Sequence, residues 1–145
     1  LNATGLDLSP NYTEKAKDEV RQWKSAEIIQ GQAEAMPLPD ASQDIIVSIY
    51  LFHELPPKVR PVVAKDIARV LKPGGSFVFA DSIQLGDTPE MDGLLEYFPE
   101  GFHEPYYKHY LTEDFGKLFS EAGLEPSEPD PVFLTKIQTW KKPDA

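Results

Sequence analysis

The stretch Asp44-Ile-Ile-Val-Ser-Ile-Tyr-Leu-Phe-His-Glu-Leu-Pro56, followed by Val70-Leu-Lys-Pro-Gly-Gly75, decides the fold. Asp44 to Tyr50 is apolar or small after its acidic start and lacks polar alternation, the pattern of a parallel strand covered on both faces. Pro57 to Leu71 then reads as a helix with Val59, Val62, Val63, Ile67, Val70 and Leu71 on one face and Lys58, Arg60, Lys65 and Arg69 off it. Pro61 falls early enough to be tolerated. Lys72-Pro-Gly-Gly stops the helix, and Ser76 to Asp81 makes the next buried strand. Strand, helix and strand in that order form a βαβ unit.

Working outward, Ala3 to Asp7 is a short predicted strand, and Ser9-Pro10 supplies a helix start, with a hydroxyl acceptor followed by a residue that needs no donor. The helix runs from Pro10 to Lys24 with Tyr12, Ala16, Val20 and Trp23 as its inward stripe. Ala26 to Gln30 is the next strand, Gly31 bends its end, and Pro37 and Pro39 keep the following loop extended. Downstream, Met91 to Phe98 reads as a short helix and Phe102 to Tyr110 as an aromatic loop or lid. A further helix follows Leu111, capped by Thr112, with Phe115, Leu118, Phe119 and Ala122 inward and Gly123 at its end. Val132 to Trp140 alternates as a final, antiparallel strand.

The chain has 145 residues, enough for one domain with its own core, so residues 1–145 read as a single, partial domain. Its 24 acidic against 14 basic side chains give a formal charge of −10, which opposes binding to a phosphate backbone and argues against a nucleic acid partner. There is no cysteine, hence no disulfide framework and no thiolate metal site. Apolar runs are far shorter than a membrane span, and the beginning, Leu1-Asn-Ala-Thr-Gly5, lacks the basic region and apolar core of a signal peptide. The reading is a cytoplasmic protein.

Gly5-Leu-Asp-Leu-Ser9, Gly31-Gln-Ala-Glu-Ala-Met-Pro-Leu-Pro39, the Phe52-His53 step and Lys72-Pro-Gly-Gly75 together resemble the class I S-adenosylmethionine-dependent methyltransferases, in the branch of the ubiquinone and menaquinone biosynthesis enzymes. The resemblance runs from about Ala3 to Leu124. It implies a Rossmann-like α/β sheet, mostly parallel with an antiparallel C-terminal strand, and S-adenosylmethionine as cofactor. Such enzymes begin with a strand that ends in a Gly-rich turn. No Gly-x-Gly-x-Gly occurs in this sequence, and the chain reads as cut at its beginning, before that motif.

By the resemblance, Asp7 holds the cofactor ribose with Leu8 beside it, Gln32 contacts adenine, Ala33 gives a backbone donor, and Glu34 completes that loop. Most relatives carry Asp or Asn where Gln32 stands, though an amide oxygen can still accept from the adenine amino group. An acid that ends a strand before a helix is also a plain partner of the helix dipole, and serves nicotinamide cofactors as well. Ser48 and Tyr50 lie at the carboxyl end of a central strand, where open α/β sheets bind ligands. His53, Asp81 and His103 are the candidate catalytic groups, although for His53 a structural or cofactor-pocket role is the leading reading and general base the second. Glu54 reads as a helix-start acid. His103, Glu104 and His109 lack metalloprotease spacing, and no metal site is expected.

The leading function is methyl transfer to a small-molecule acceptor, and the aromatic segment suits a quinone or phenol. Two alternatives stand beside it: an inactive methyltransferase-like fragment that only self-associates, and an NAD(P)-binding Rossmann fragment. A Tyr-x-x-x-Lys pair, which the latter would favour, does not occur. Without the first strand, the strands ending at Asp7 and Tyr50 would keep open edges, which are templates for association. The expectation is therefore that these strands meet directly or pair with a second copy, giving a homodimer with weak or absent cofactor binding.

Overall fold

The computed structural model describes residues 1–127, 130–132 and 134–144. They form two compact units, Leu1–Leu38 and Pro39–Ala145.

In the first unit, strands β1 (Ala3–Asp7) and β2 (Ala26–Gln30) pair in parallel, with Ala3 opposite Ala26 and Asp7 opposite Gln30. Helix α1 (Pro10–Val20) connects them and begins as the sequence indicates: Ser9 is the cap, its side chain accepting from the Tyr12 N–H, and Pro10 is the first helical residue. The stripe is rotated from the predicted one. Thr13 is the buried position, with Ala16 and Val20 half-buried on its side, whereas Tyr12 and Trp23 are exposed. The helix stops at Val20, so Trp23 falls outside its period, and Tyr12 lies about 100° around the axis from Thr13.

The second unit contains a sheet of order β3-β4-β7-β5, with β6 also paired to β7. Strand β3 (Gln43–Ile49) runs parallel to β4 (Leu71–Ser82), joined by helix α2 (Arg60–Val70). The register jumps from Gln43 opposite Leu71 to Ile45 opposite Ser76, so Lys72-Pro-Gly-Gly75 bulges out of the ladder. Gly74 takes φ 73°, and a Cβ on Gly75 would stand 2.8 Å from the Lys72 carbonyl oxygen and 3.1 Å from that of Asp44. Both glycines are therefore steric requirements. Helices α3 (Asp92–Phe102), α4 (Tyr107–Tyr110) and α5 (Phe115–Glu121) precede the short strands β5 (Glu125–Pro126) and β6 (Asp130–Val132). Strand β7 (Thr135–Lys141) closes the chain antiparallel to β4, Ser76 opposite Lys141 and Ser82 opposite Thr135. The predicted strand from Val132 is thus two strands that pair with each other; Phe133, within it, lies outside the described residues.

The core of this unit is aromatic. Phe52, Phe77, Phe79 and Phe119 are fully buried and Phe115 nearly so, in edge-to-face and tilted contacts such as Phe52–Phe119 at 5.3 Å and Phe77–Phe119 at 5.1 Å. Asp114, accepting from the Lys117 N–H, caps α5 in place of the expected Thr112. Tyr107 and Tyr110 are also core residues, which removes them from any lid; Phe102 stays exposed. Coverage of β3 on both faces does not hold either. The pleat turns Ile45, Val47 and Ile49 to a face where they are more than half exposed, and β3 stands at the end of its sheet.

Helix α2 buries Arg60, Val63, Ala64, Ile67 and Val70, while Val62 is half exposed. The helix is turned so that the expected surface residue Arg60 points inward. The reason is a set of acceptors: the Phe52 carbonyl (2.9 Å), the Tyr106 carbonyl (3.0 Å) and the Glu113 carboxylate (3.0 Å). A hydrogen-bonded guanidinium can be buried, whereas removing it strands two carbonyl acceptors and a partly buried anion. Replacing Arg60 with Ala should cost about 3 to 5 kcal/mol, the range for breaking a buried pair, as read by urea denaturation. Stability equal to the wild type would show that these bonds hold nothing together.

Candidate active site

The polar centre of the second unit forms where β3 and β4 end. After Ile49, Tyr50 takes φ 51° in the left-handed region while its N–H still donates to the Ala80 carbonyl at 2.8 Å. A bulky residue there is strained, and such strain concentrates at functional sites. The ladder then gives way to a turn, and two residues on the Phe52 N–H donates to the Asp81 carboxylate at 2.9 Å. Asp81 is completely buried and also accepts from Ser82 N–H at 2.8 Å and from His53 Nδ1 at 2.6 Å. The Phe52 and Ser82 N–H groups already donate to this carboxylate, and the short contact with the imidazole calls for a third donor. Nδ1 of His53 therefore carries the proton, and the neutral ring keeps its lone pair on Nε2.

Rings enclose this imidazole. Tyr107, Tyr110 and Tyr50 lie edge-on at 5.7, 6.1 and 6.2 Å between centroids. Burial alone lowers the His53 pKa, but the hydrogen bond and charge of Asp81, with Glu54 and Glu104 adding, raise it above the ordinary histidine value. Burial also pushes the Tyr107 and Tyr110 phenols up, so both stay protonated and serve as hydrogen-bonding groups. The Tyr107 hydroxyl pairs with Ser82 Oγ, that of Tyr110 donates to the Ser82 carbonyl, and that of Tyr50 pairs with Thr135 Oγ1.

Of the residues singled out from the sequence, His53 and Asp81 come together. Ser48 and Tyr50 lie at the end of the same strand, and the Ser48 hydroxyl is buried with no partner among the described residues. His103 instead ends α3 in a left-handed conformation, exposed and with no side-chain hydrogen bond or ion pair among the described residues. Its Cα geometry is that of a helix terminator. Glu54 does not start a helix, since α2 begins at Arg60; its carboxylate stands 3.9 Å from His53 Nε2. Tyr107, Ser82 and Glu104 were missed as site residues. The run of aromatics from Phe102 flagged the segment that brings Tyr107, whereas Glu104 carries no local signal.

The other candidates belong to the first unit. Asp7 ends β1 exposed, with Oδ1 accepting the Ser9 N–H at 2.7 Å and Oδ2 without a partner among the described residues. Leu8 is exposed, and its carbonyl accepts from the Gln30 side chain at 3.1 Å. Gln32 precedes a single 3₁₀ turn, Ala33–Ala35, and its amide makes no capping bond there. An anchored carboxylate with one open oxygen and a nearby unengaged amide fit the polar edges of a nucleoside.

Comparison with known proteins places these features in a family. Residues 1–79 match the model of the methyltransferase domain. A demethylmenaquinone methyltransferase of Bacillus licheniformis is 32% identical over 124 residues, covering 85% of this chain and 48% of that protein. The chain thus spans about half the length of the curated relatives it matches. In fold it is similar to a methyltransferase structure from Bacillus halodurans, with TM-score 0.76 and 16% identity over 99% of this chain and 84% of the other. A SAM-dependent methyltransferase of Methanosarcina mazei gives TM-score 0.74 and 15% identity, over 99% and 83%.

Exchanging Asp81 for Asn sets an NH₂ group against at least one of the three donors that the carboxylate now receives. The expected loss is about 1 to 3 kcal/mol in urea denaturation, the cost of a buried unsatisfied group. The ¹⁵N spectrum of neutral His53 should show Nδ1–H in the wild type and lose that preference in the variant. A wild-type spectrum with the proton on Nε2 would contradict the assignment.

Proposed function

The chain belongs to the methyltransferase domain family, and from that premise we propose that it transfers a methyl group from S-adenosylmethionine to a small aromatic acceptor of the quinol type. The observation that carries the cofactor reading is Asp7, whose one oxygen is fixed by Ser9 N–H while the other is open to a ribose diol. Leu8, Gln32, Ala33 and Glu34, on the same unit, are the further candidate contacts for the nucleoside. When bound, S-adenosylmethionine supplies an electrophilic methyl group, so the task left to the protein is alignment of an acceptor.

His53 and Asp81 are the candidate catalytic pair. Asp81 holds the ring in one orientation and one tautomer, leaving the Nε2 lone pair to engage either an acceptor's proton or a cation. The aromatic residues of the second unit favour a flat, apolar acceptor: Phe98 stacks on Phe102 at 4.4 Å, and Phe102 and Tyr106 are exposed. The name of the Bacillus licheniformis relative points to the same class of substrate. Exposed Ile45, Val47 and Ile49 at the sheet end support self-association as a homodimer.

Addition of S-adenosylhomocysteine, followed by ¹H–¹⁵N spectra, should move the amides of residues 7–9 and 31–34. Asp7→Ala should weaken the binding by about 1.5 to 3 kcal/mol, the range for hydrogen bonds to a charged group. Spectra unmoved in the wild type would falsify the cofactor reading, and an unaltered variant would remove Asp7 from it. Methyl transfer itself is read by passage of a radiolabelled methyl from S-adenosylmethionine to demethylmenaquinol. Light scattering should give the mass of a dimer; a monomer would end the self-association proposal alone.

A further inference from the structure

We propose that His53, Glu54 and Glu104 form a site for a divalent transition metal of the Zn²⁺ or Mn²⁺ class. Their candidate ligand atoms lie within 4.8 Å of one another, although Glu104 is far along the chain, between α3 and α4. The inference does not depend on the cofactor reading.

Three observations carry it. The first is the orientation of the imidazole: a metal-ligating histidine characteristically donates its other ring N–H to a carboxylate, which fixes the ring and raises its basicity. His53 Nδ1 lies 2.6 Å from the buried Asp81 in that arrangement, so the ligating nitrogen is already selected. The second is charge. Asp81, Glu54 and Glu104 surround one imidazole, and among the described residues none of the three pairs with a lysine or arginine; the nearby Arg60 is engaged by Glu113. A bound dication balances that excess.

The third is the donor set. One imidazole and two carboxylates suit zinc, manganese or iron, and three protein ligands leave positions open, as catalytic sites do and closed structural sites do not. Ligands about 2.1 Å from a tetrahedral ion stand about 3.4 Å apart. The 3.9 Å between His53 Nε2 and Glu54 Oε1 is wider than that, and the Glu54 side chain, 63% exposed, has the freedom to close the difference by changing rotamer. His53 and Asp81 need not move. The open positions would take an oxygen of an acceptor or a water.

The test uses the full chain, stripped of metal and titrated with Mn²⁺ by electron paramagnetic resonance and with Zn²⁺ by calorimetry. One saturable ion per chain is expected. Glu104→Gln and His53→Gln should each weaken it at least tenfold, and Asp81→Asn by about 10- to 100-fold, the usual effect of losing an outer carboxylate. Glu96→Gln, at an exposed acid on α3, should change nothing. The Glu104 side chain makes no hydrogen bond or ion pair among the described residues, and its backbone carbonyl, which accepts from the Tyr107 N–H, is untouched by the exchange, so its variant should keep the wild-type melting temperature. Absence of saturable binding, or binding equally strong in the Glu104 and His53 variants, would overturn the site. S-adenosylhomocysteine titrated into the same samples reports separately, so loss of the metal site and failure of the cofactor reading remain distinguishable.

Discussion

Phe52 is held between two buried charges. Its N–H donates to Asp81 and its carbonyl accepts from Arg60, while its ring sits among Phe77, Phe79, Phe115 and Phe119. Neither charge is tolerable alone in an aromatic core, because an unpaired buried ion costs several kcal/mol. Each is satisfied by groups from distant parts of the chain. Arg60 gathers the Tyr106 carbonyl and Glu113, and Asp81 gathers His53 in addition to its own neighbour Ser82. The turn after β3, the start of α2 and the α4 segment are therefore fixed to the end of β4 by one polar system, and the position of His53 follows from it.

That system also explains why an irregular turn can hold a functional side chain in place. Residues 51–55 lack the repeating bonds of a strand or long helix, and loop geometry by itself is poorly determined. Here a ring packed in the core and two charge-assisted bonds define the backbone at Phe52, directly before His53. Tyr50 contributes from the other end, its left-handed backbone turning the chain away from the sheet while its hydroxyl reaches Thr135 on β7. Orientation of the imidazole is thus a property of tertiary packing, with local propensity adding little.

Much of the scaffold was legible in the sequence because it follows from periodicity and turn chemistry. Strands β1 and β2 match their predicted bounds, Ser9-Pro10 caps α1, and Lys72-Pro-Gly-Gly75 marks the passage from α2 to β4. The errors have a common cause. Arg60 and Val62 exchange their expected sides, and Tyr107 and Tyr110 enter the core, because distant partners decide burial where local apolarity is ambiguous. Asp81 and His53 could be nominated from strand ends, but their 2.6 Å contact depends on the register of β3 against β4. Glu104, weighed from the sequence only beside His103 and His109, was paired with the wrong neighbours for the same reason. A single glutamate after a helix carries no pattern, and only the path of α3 and α4 gives it neighbours.

The hold on Phe52 has a consequence for how this protein opens. Amides in a turn ordinarily exchange with solvent hydrogen through small local fluctuations, whereas those of central strands wait for larger unfolding events. The Phe52 amide is in a turn by secondary structure, yet its acceptor is a carboxylate with no exposed surface. Releasing it requires Asp81 to be uncovered, and with it the ends of β3 and β4. Its exchange lifetime therefore belongs with the β3–β4 ladder, which makes this one turn amide a reporter of whether the sheet end, and the histidine beside it, has come apart.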